Sequence, residues 1–123
     1  VDSFVYRVVL DDSMSLRAGI YQHHKGGRYR VLFTAQTPDL FEKHGELLTV
    51  FVGPDGTIGI GRESRIAMGQ TQLFLVRNSS DKPMCGACIV YVSMDHGSIN
   101  VRGDEEFKER VGDLPRFWLV AEE

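Results

Sequence analysis

Apolar and polar residues alternate over short runs along most of this chain, and glycine punctuates the runs. Phe4, Tyr6, Val8 and Leu10 alternate and predict a first strand, which Asp11-Asp12-Ser13 ends. Residues 20–23 and 28–35 predict two strands around a Lys25-Gly26-Gly27 turn. Along the second of these, Tyr29, Val31 and Phe33 are expected on one face, with Arg28, Arg30 and Thr34 on the other. Thr37-Pro38-Asp39 has the order of a helix start and predicts one helical turn through Phe41, closing near Gly45. Residues 47–52 form the next strand, and Pro54-Asp55-Gly56 is a turn in which Pro presets φ and Gly takes the left-handed position. Residues 73–76 read as a continuous apolar strand, ended by Asn78-Ser79-Ser80-Asp81. The strongest helical pattern comes late: Asp104 caps it, Phe107 and Val111 share a face as core anchors, and Gly112 stops it. Residues 117–120 predict a closing strand.

One pattern occurs twice. Val50-Phe51-Val52-Gly53-Pro54-Asp55-Gly56-Thr57-Ile58-Gly59-Ile60-Gly61-Arg62 reads as strand, turn, strand and Arg. Val90-Tyr91-Val92-Ser93-Met94-Asp95-His96-Gly97-Ser98-Ile99-Asn100-Val101-Arg102 reads the same way, with His96 as an extra residue in its turn. Either a duplicated hairpin or the chance recurrence of a common β pattern accounts for the echo.

The chain has 123 residues, enough for one domain with its own core. Its 42% hydrophobic and 25% charged content is that of an ordinary globular protein. A formal net charge of −3 argues against a molecule built to coat nucleic acid or an anionic membrane. The charge is uneven, however: His23, His24, Lys25, Arg28 and Arg30 cluster early, and acidic residues crowd the end. No apolar run is long enough to span a bilayer and no signal-peptide pattern opens the sequence, so a cytoplasmic location is expected.

Residues 19–32, Gly-Ile-Tyr-Gln-His-His-Lys-Gly-Gly-Arg-Tyr-Arg-Val-Leu, carry a resemblance. They are similar to the opening of a small bacterial family of unknown function that runs G-x-Y-x-H-Y-K-G-x-x-Y-x-V. Ile89-Val90-Tyr91, Asn100-Val101-Arg102, Glu106-Phe107 and Pro115-Arg116-Phe117 follow in the family's order. The chain departs from the pattern at His24, where the family has Tyr, and at Asn100-Val101-Arg102-Gly103, where it has Trp-Val-Arg-Pro. The resemblance implies an SH3-type barrel over residues 18–117, with residues 53–87 as an insertion or duplication and residues 1–17 as an added N-terminal strand region. It implies no chemistry.

Few residue sets suggest a reaction. Cys85-Gly86-Ala87-Cys88 precedes a predicted strand, whereas a redox pair works from a helix N-terminus that lowers the thiol pKa. A zinc site needs two further ligands, and none of His23, His24, His44 or His96 has the usual spacing. The pair is therefore read as structural, with a redox role as the alternative. Asp95-His96 is read as a turn-forming Asp beside a solvent His, and Arg102 as a partner for Asp104 or Glu105. The Gly26-Gly27 turn, flanked by Lys25 and Arg28, has the backbone N–H groups and charge of an anion cradle, or is simply a polar hairpin tip.

These readings combine into a single-domain, all-β protein: an SH3-like small barrel enlarged by an extra hairpin, with one short C-terminal helix. The expected activity is non-enzymatic binding of a small ligand or peptide by Tyr21, His23, Lys25, Tyr29 and Arg102, without metal or cofactor. One alternative is an accessory protein that binds RNA through the basic hairpin, against which the net charge counts. Another is a structural or self-associating protein, a homodimer paired through uncovered strand edges.

Overall fold

The computed structural model describes residues 18–122, so the strand predicted at residues 4–10 lies outside it. Ten strands follow in order: β1 (Gly19–His23), β2 (Arg28–Phe41), β3 (Leu47–Val52), β4 (Ile58–Gly61), β5 (Thr71–Asn78), β6 (Met84–Ser93), β7 (Ile99–Gly103), β8 (Arg110–Val111), β9 (Leu114–Pro115) and β10 (Phe117–Glu122). A helix, α1 (Asp104–Lys108), separates β7 from β8, and a 3-10 turn (Glu63–Arg65) separates β4 from β5. Among the described residues no helix is long and apolar enough to cross a membrane.

The sheet order is β10-β1-β2-β4-β3-β5-β7-β6, and β6 pairs back onto β2. Six strands, β2 to β7, therefore close into a barrel, while β1 and β10 extend from the free edge of β2. The expectation of an enlarged small β-barrel with one short helix holds.

The ring repeats itself. In the β3–β4 hairpin Val50 pairs with Ile60 and Phe51 with Gly59, and in the β6–β7 hairpin Val90 pairs with Val101 and Tyr91 with Asn100. Gln36 sits beside Gly59 in the parallel pair β2–β4, as Arg77 sits beside Asn100 in β5–β7. Even the irregularities correspond. Leu73 bulges where β5 pairs with β3, and Leu32 bulges where β2 pairs with β6. Two units, β2-β3-β4 and β5-β6-β7, thus occupy equivalent halves of the ring. The register also corrects the alignment read from sequence. The place of Arg102 in the first copy belongs to Gly61, while Arg62 lies past the end of β4, paired with Glu46 at 2.8 Å.

Two apolar clusters hold this architecture. Phe33, Phe41, Leu48, Val50, Ile60, Val76, Met84, Val90 and Val101 fill the barrel, and Phe33 meets Phe74, its equivalent in the other half, at 6.0 Å between ring centres. The second cluster, Tyr21, Val31, Ile89, Tyr91, Phe107 and Phe117, packs β1, β10 and α1 onto the outer face of β2 and β6. The bulge at Leu32 separates the two sets. It puts Val31 opposite Tyr91 and Phe33 opposite Val90, so Val31 faces outward and Phe33 inward, contrary to the shared face expected from alternation.

Two further expectations change. The helical turn predicted at Thr37-Pro38-Asp39 is strand: β2 runs on to Phe41, which is buried opposite Met84. Its register breaks between Thr37 and Phe41, and that irregularity tolerates the missing N–H of Pro38. The late helix stops at Lys108, and Val111 lies in β8, exposed rather than in the core. Glu109 ends the helix because it binds the backbone and side chain of Arg116, turning the chain back through Gly112 at φ 64°.

Replacing Phe33 by Ala empties the centre of the barrel. A loss of about 3–5 kcal/mol is expected in urea denaturation. A loss under about 1 kcal/mol would show that this ring does not anchor the core.

Candidate functional site

The β1–β2 turn, the β6–β7 turn and the start of β10 meet over the outer face of β7. Between them is a cleft of about 150 Å³, lined by His23, Tyr29, Ser79, Tyr91, Ser93, His96, Ser98, Asn100, Arg102 and Phe117. Strand register places these side chains. Val101 turns into the barrel core, so its neighbours Asn100 and Arg102 turn outward. Tyr91 lies directly across from Asn100, and Tyr29 across from Ser93.

Arg102 anchors the floor. It is 8% exposed, and its guanidinium lies 5.6 Å from the centre of the Phe117 ring. Its Nε donates to Tyr91 Oη at 3.2 Å, and its Nη1 donates to Glu106 Oε2 at 2.6 Å. The expected partners, Asp104 and Glu105, are displaced by Glu106, which one turn of α1 directs back onto the strand. Glu106 is itself buried and accepts the backbone N–H groups of Asp81 and Lys82 at 3.0–3.1 Å. Burial opposes the charge on Arg102, but Tyr91 and Glu106 outweigh it and hold the guanidinium pKa above its ordinary value. Burial raises the Tyr91 phenol, which therefore stays protonated at neutral pH. Ser79 Oγ donates to Asn100 Oδ1 at 3.0 Å and continues this polar network at the rim.

Aromatic rings form the opposite wall. His23 meets Phe117 edge to face at 4.7 Å, and Tyr29 meets Tyr91 at 5.3 Å. His23 Nδ1 accepts the Lys25 backbone N–H at 3.2 Å, which leaves the neutral ring its proton on Nε2. Burial, then the positive charges of His24, Arg102, Arg116 and Lys25, lower its pKa to about 4.

Of the five residues expected to bind, His23, Tyr29 and Arg102 line the cleft together. Tyr21 does not, because its ring is 6% exposed and packs edge-on against Phe107 at 5.7 Å. Lys25 sits in the hairpin turn outside the lining. Tyr91, Asn100, Phe117 and the serines were not among the five. A signal for Asn100 was present in the echo, since the second hairpin carries Asn100 and Arg102 where the register of the first has Gly59 and Gly61.

The cysteines lie away from this cleft and within β6 rather than before a strand. Cys88 is buried, donates to Ala35 O at 3.4 Å, and burial pushes its pKa up to about 12, so it supplies no thiolate at neutral pH. Cys85 is exposed. His96 lies in its turn with its N–H on Ser93 Oγ at 3.1 Å. The arrangement as a whole donates hydrogen bonds from fixed positions and offers flat apolar walls.

No family model matches the chain, and comparison with curated proteins and with solved structures finds no match.

Two measurements check the site's energetics. Glu106→Ala leaves the buried Arg102 with only the more distant Asp81 carboxylate, at 3.8 Å, and is expected to cost about 3 kcal/mol in urea denaturation. His23 has a folded pKa of about 4 against an ordinary value of 6.5, so the unfolded chain binds its proton more readily. Its stabilising effect is complete above pH 6.5 and is lost as pH falls toward 4. The melting-temperature gap between the native chain and His23→Gln should narrow across that window; a constant gap would contradict the assignment.

Proposed function

We propose that this protein is a non-enzymatic binding module whose cleft takes a compact, flat, anionic group, either a small carboxylate or phosphate or an acidic side chain of a peptide. One observation carries the reading. Arg102 and His23 line the cleft with fixed N–H donors, the Lys25–Arg28 turn borders it, and no Asp or Glu is among its lining residues. Its donors are arranged in advance: Arg102 is held by Tyr91 and Glu106, and His23 by the Lys25 backbone, so a ligand meets groups whose rotamer entropy is already lost.

Size supports the same class. About 150 Å³ admits one ring or one acid group and excludes a whole nucleotide. The aromatic walls favour a planar group, because Tyr29, Tyr91 and Phe117 present edges and faces at 5.3–5.8 Å from one another. Binding of RNA through Lys25 and Arg28 uses the same positive edge on a longer ligand. It is distinguished by a steep dependence on salt.

The test is a thermal-shift titration of the full chain with small carboxylates, inorganic phosphate, blocked acidic peptides and a short oligonucleotide. An anionic probe should raise the melting temperature in a concentration-dependent way, and the rise should shrink in His23→Ala and Tyr29→Phe. No response to any anion, or equal responses in both variants, would sink the reading.

A further inference from the structure

The β6–β7 turn is one residue longer than its equivalent between β3 and β4, and the difference changes what a side chain can do. In the short turn the N–H three residues on, Gly56, bonds Gly53 O. In the long turn the equivalent carbonyl, Ser93 O, takes Gly97, four residues on. The His96 N–H is thereby released to the Ser93 side chain. It donates to Ser93 Oγ at 3.1 Å, and the Asp95 N–H donates to the same atom at 3.3 Å. The space against the β3–β4 hairpin, about 500 Å³, has Gly53 at this position and no such hydroxyl.

A serine hydroxyl has two lone pairs and one proton. Both lone pairs of Ser93 are in use, so its proton is what remains for a ligand. Val92 packs against the barrel core, which turns Ser93 outward to the cleft face. The residue is 5% exposed, and among the described residues no acceptor takes its proton.

Other groups in the lining are committed the same way. His23 Nδ1 accepts the Lys25 N–H and leaves Nε2–H to the cleft. Arg102 uses Nε on Tyr91 and Nη1 on Glu106, and Nη2 bonds nothing among the described residues. Asn100, the one side-chain amide in the lining, uses Oδ1 on Ser79 and Nδ2 on Ser98 O. Tyr29, Ser98 and His96 can turn either way, but the fixed groups are donors. A carboxylate meets them with acceptors only. A carboxamide of the same outline carries an NH₂ in place of one oxygen, and that NH₂ leaves a buried donor without its bond.

We propose that Ser93 sets the specificity of this cleft, its hydroxyl acting as a fixed donor that selects a carboxylate over the carboxamide of the same shape. The selection depends on the cleft being an anion site, as proposed above, and narrows its ligand to an ionised acid whose buried oxygens all accept.

The experiment is a titration of the isotope-labelled full chain at neutral pH with benzoate, with benzamide and with inorganic phosphate. The amides of Lys25, Asp95 and His96 report occupancy, because they bond His23 Nδ1 and Ser93 Oγ. Benzoate should move them and bind at least about tenfold more tightly than benzamide. Ser93→Ala should bring the two affinities to within about threefold, and Ser93→Thr, which keeps the hydroxyl, should restore the gap. A merely loosened turn lowers both affinities together, so an unchanged ratio in Ser93→Ala would overturn the proposal. Equal binding of benzamide and benzoate to the native chain would do the same. Shifts with phosphate but not with benzoate would overturn the selection and leave the anion site standing. No shift with either anion would overturn the anion site itself, and the selection with it.

Discussion

The antiparallel ladder between β2 and β6 is the constraint on which the rest of the molecule depends. It runs from Tyr29 opposite Ser93 to Phe41 opposite Met84 and closes six strands into a ring. Without it, β2 and β6 would be long open edges, with buried apolar side chains on one face and unpaired backbone along their length. The ladder spans two bulged positions, and the one at Leu32 divides its side chains between two cores. Inward, Phe33 and Val90 fill the barrel. Outward, Val31 and Tyr91 form the bed on which β1, β10 and α1 settle. The cleft lined by His23 and Arg102 lies at the outer end of this ladder, so the pairing that closes the barrel also brings Tyr29 beside Tyr91.

A buried polar chain ties that cleft to the adjoining loop. Tyr91, Arg102 and Glu106 follow one another to the backbone of Asp81 and Lys82, with the Ser79–Asn100 bond beside them at the rim. Each link is a hydrogen bond, and the Arg102–Glu106 pair within it is almost wholly withdrawn from solvent. Such a pair is expensive to desolvate, and an apolar substitute of the same shape would often be at least as stable. Its retention is in keeping with a role in holding donors still at a surface cleft, where rigidity helps binding.

The two halves of the barrel separate backbone from chemistry. Hairpin register, parallel pairs and bulge positions coincide, so the same main chain is used twice. Side chains then diverge at equivalent positions. One half carries Asn100, Arg102 and serines beneath a strand ribbon, and the other carries glycines, prolines and Phe51 under open space. His96 adds one more donor where the turns differ in length. A repeated scaffold with unlike clefts is what results when the core positions are kept and only outward positions change, because outward substitutions seldom disturb packing.

Period-two alternation, glycine turns and the Val50 and Val90 hairpins determined a β-rich chain with a repeated element, since these signals act between neighbours in the chain; the barrel was what the resemblance implied. That His23 and Tyr29 lie near one another was also legible, since both belong to the first hairpin. Other features were set only in three dimensions. Alternation put Val31 and Phe33 on one face, but the bulge at Leu32 arises from matching β2 to a strand nearly sixty residues away. The Thr37-Pro38 helix signal yielded to the burial of Phe41, and the Phe107 helix stopped early because Glu109 turned to Arg116. Tyr21 went to the core because α1 folds over it. Local sequence determined which segments become strands. Register, burial and the partner of Arg102 depended on contacts between distant segments, which no local pattern encodes.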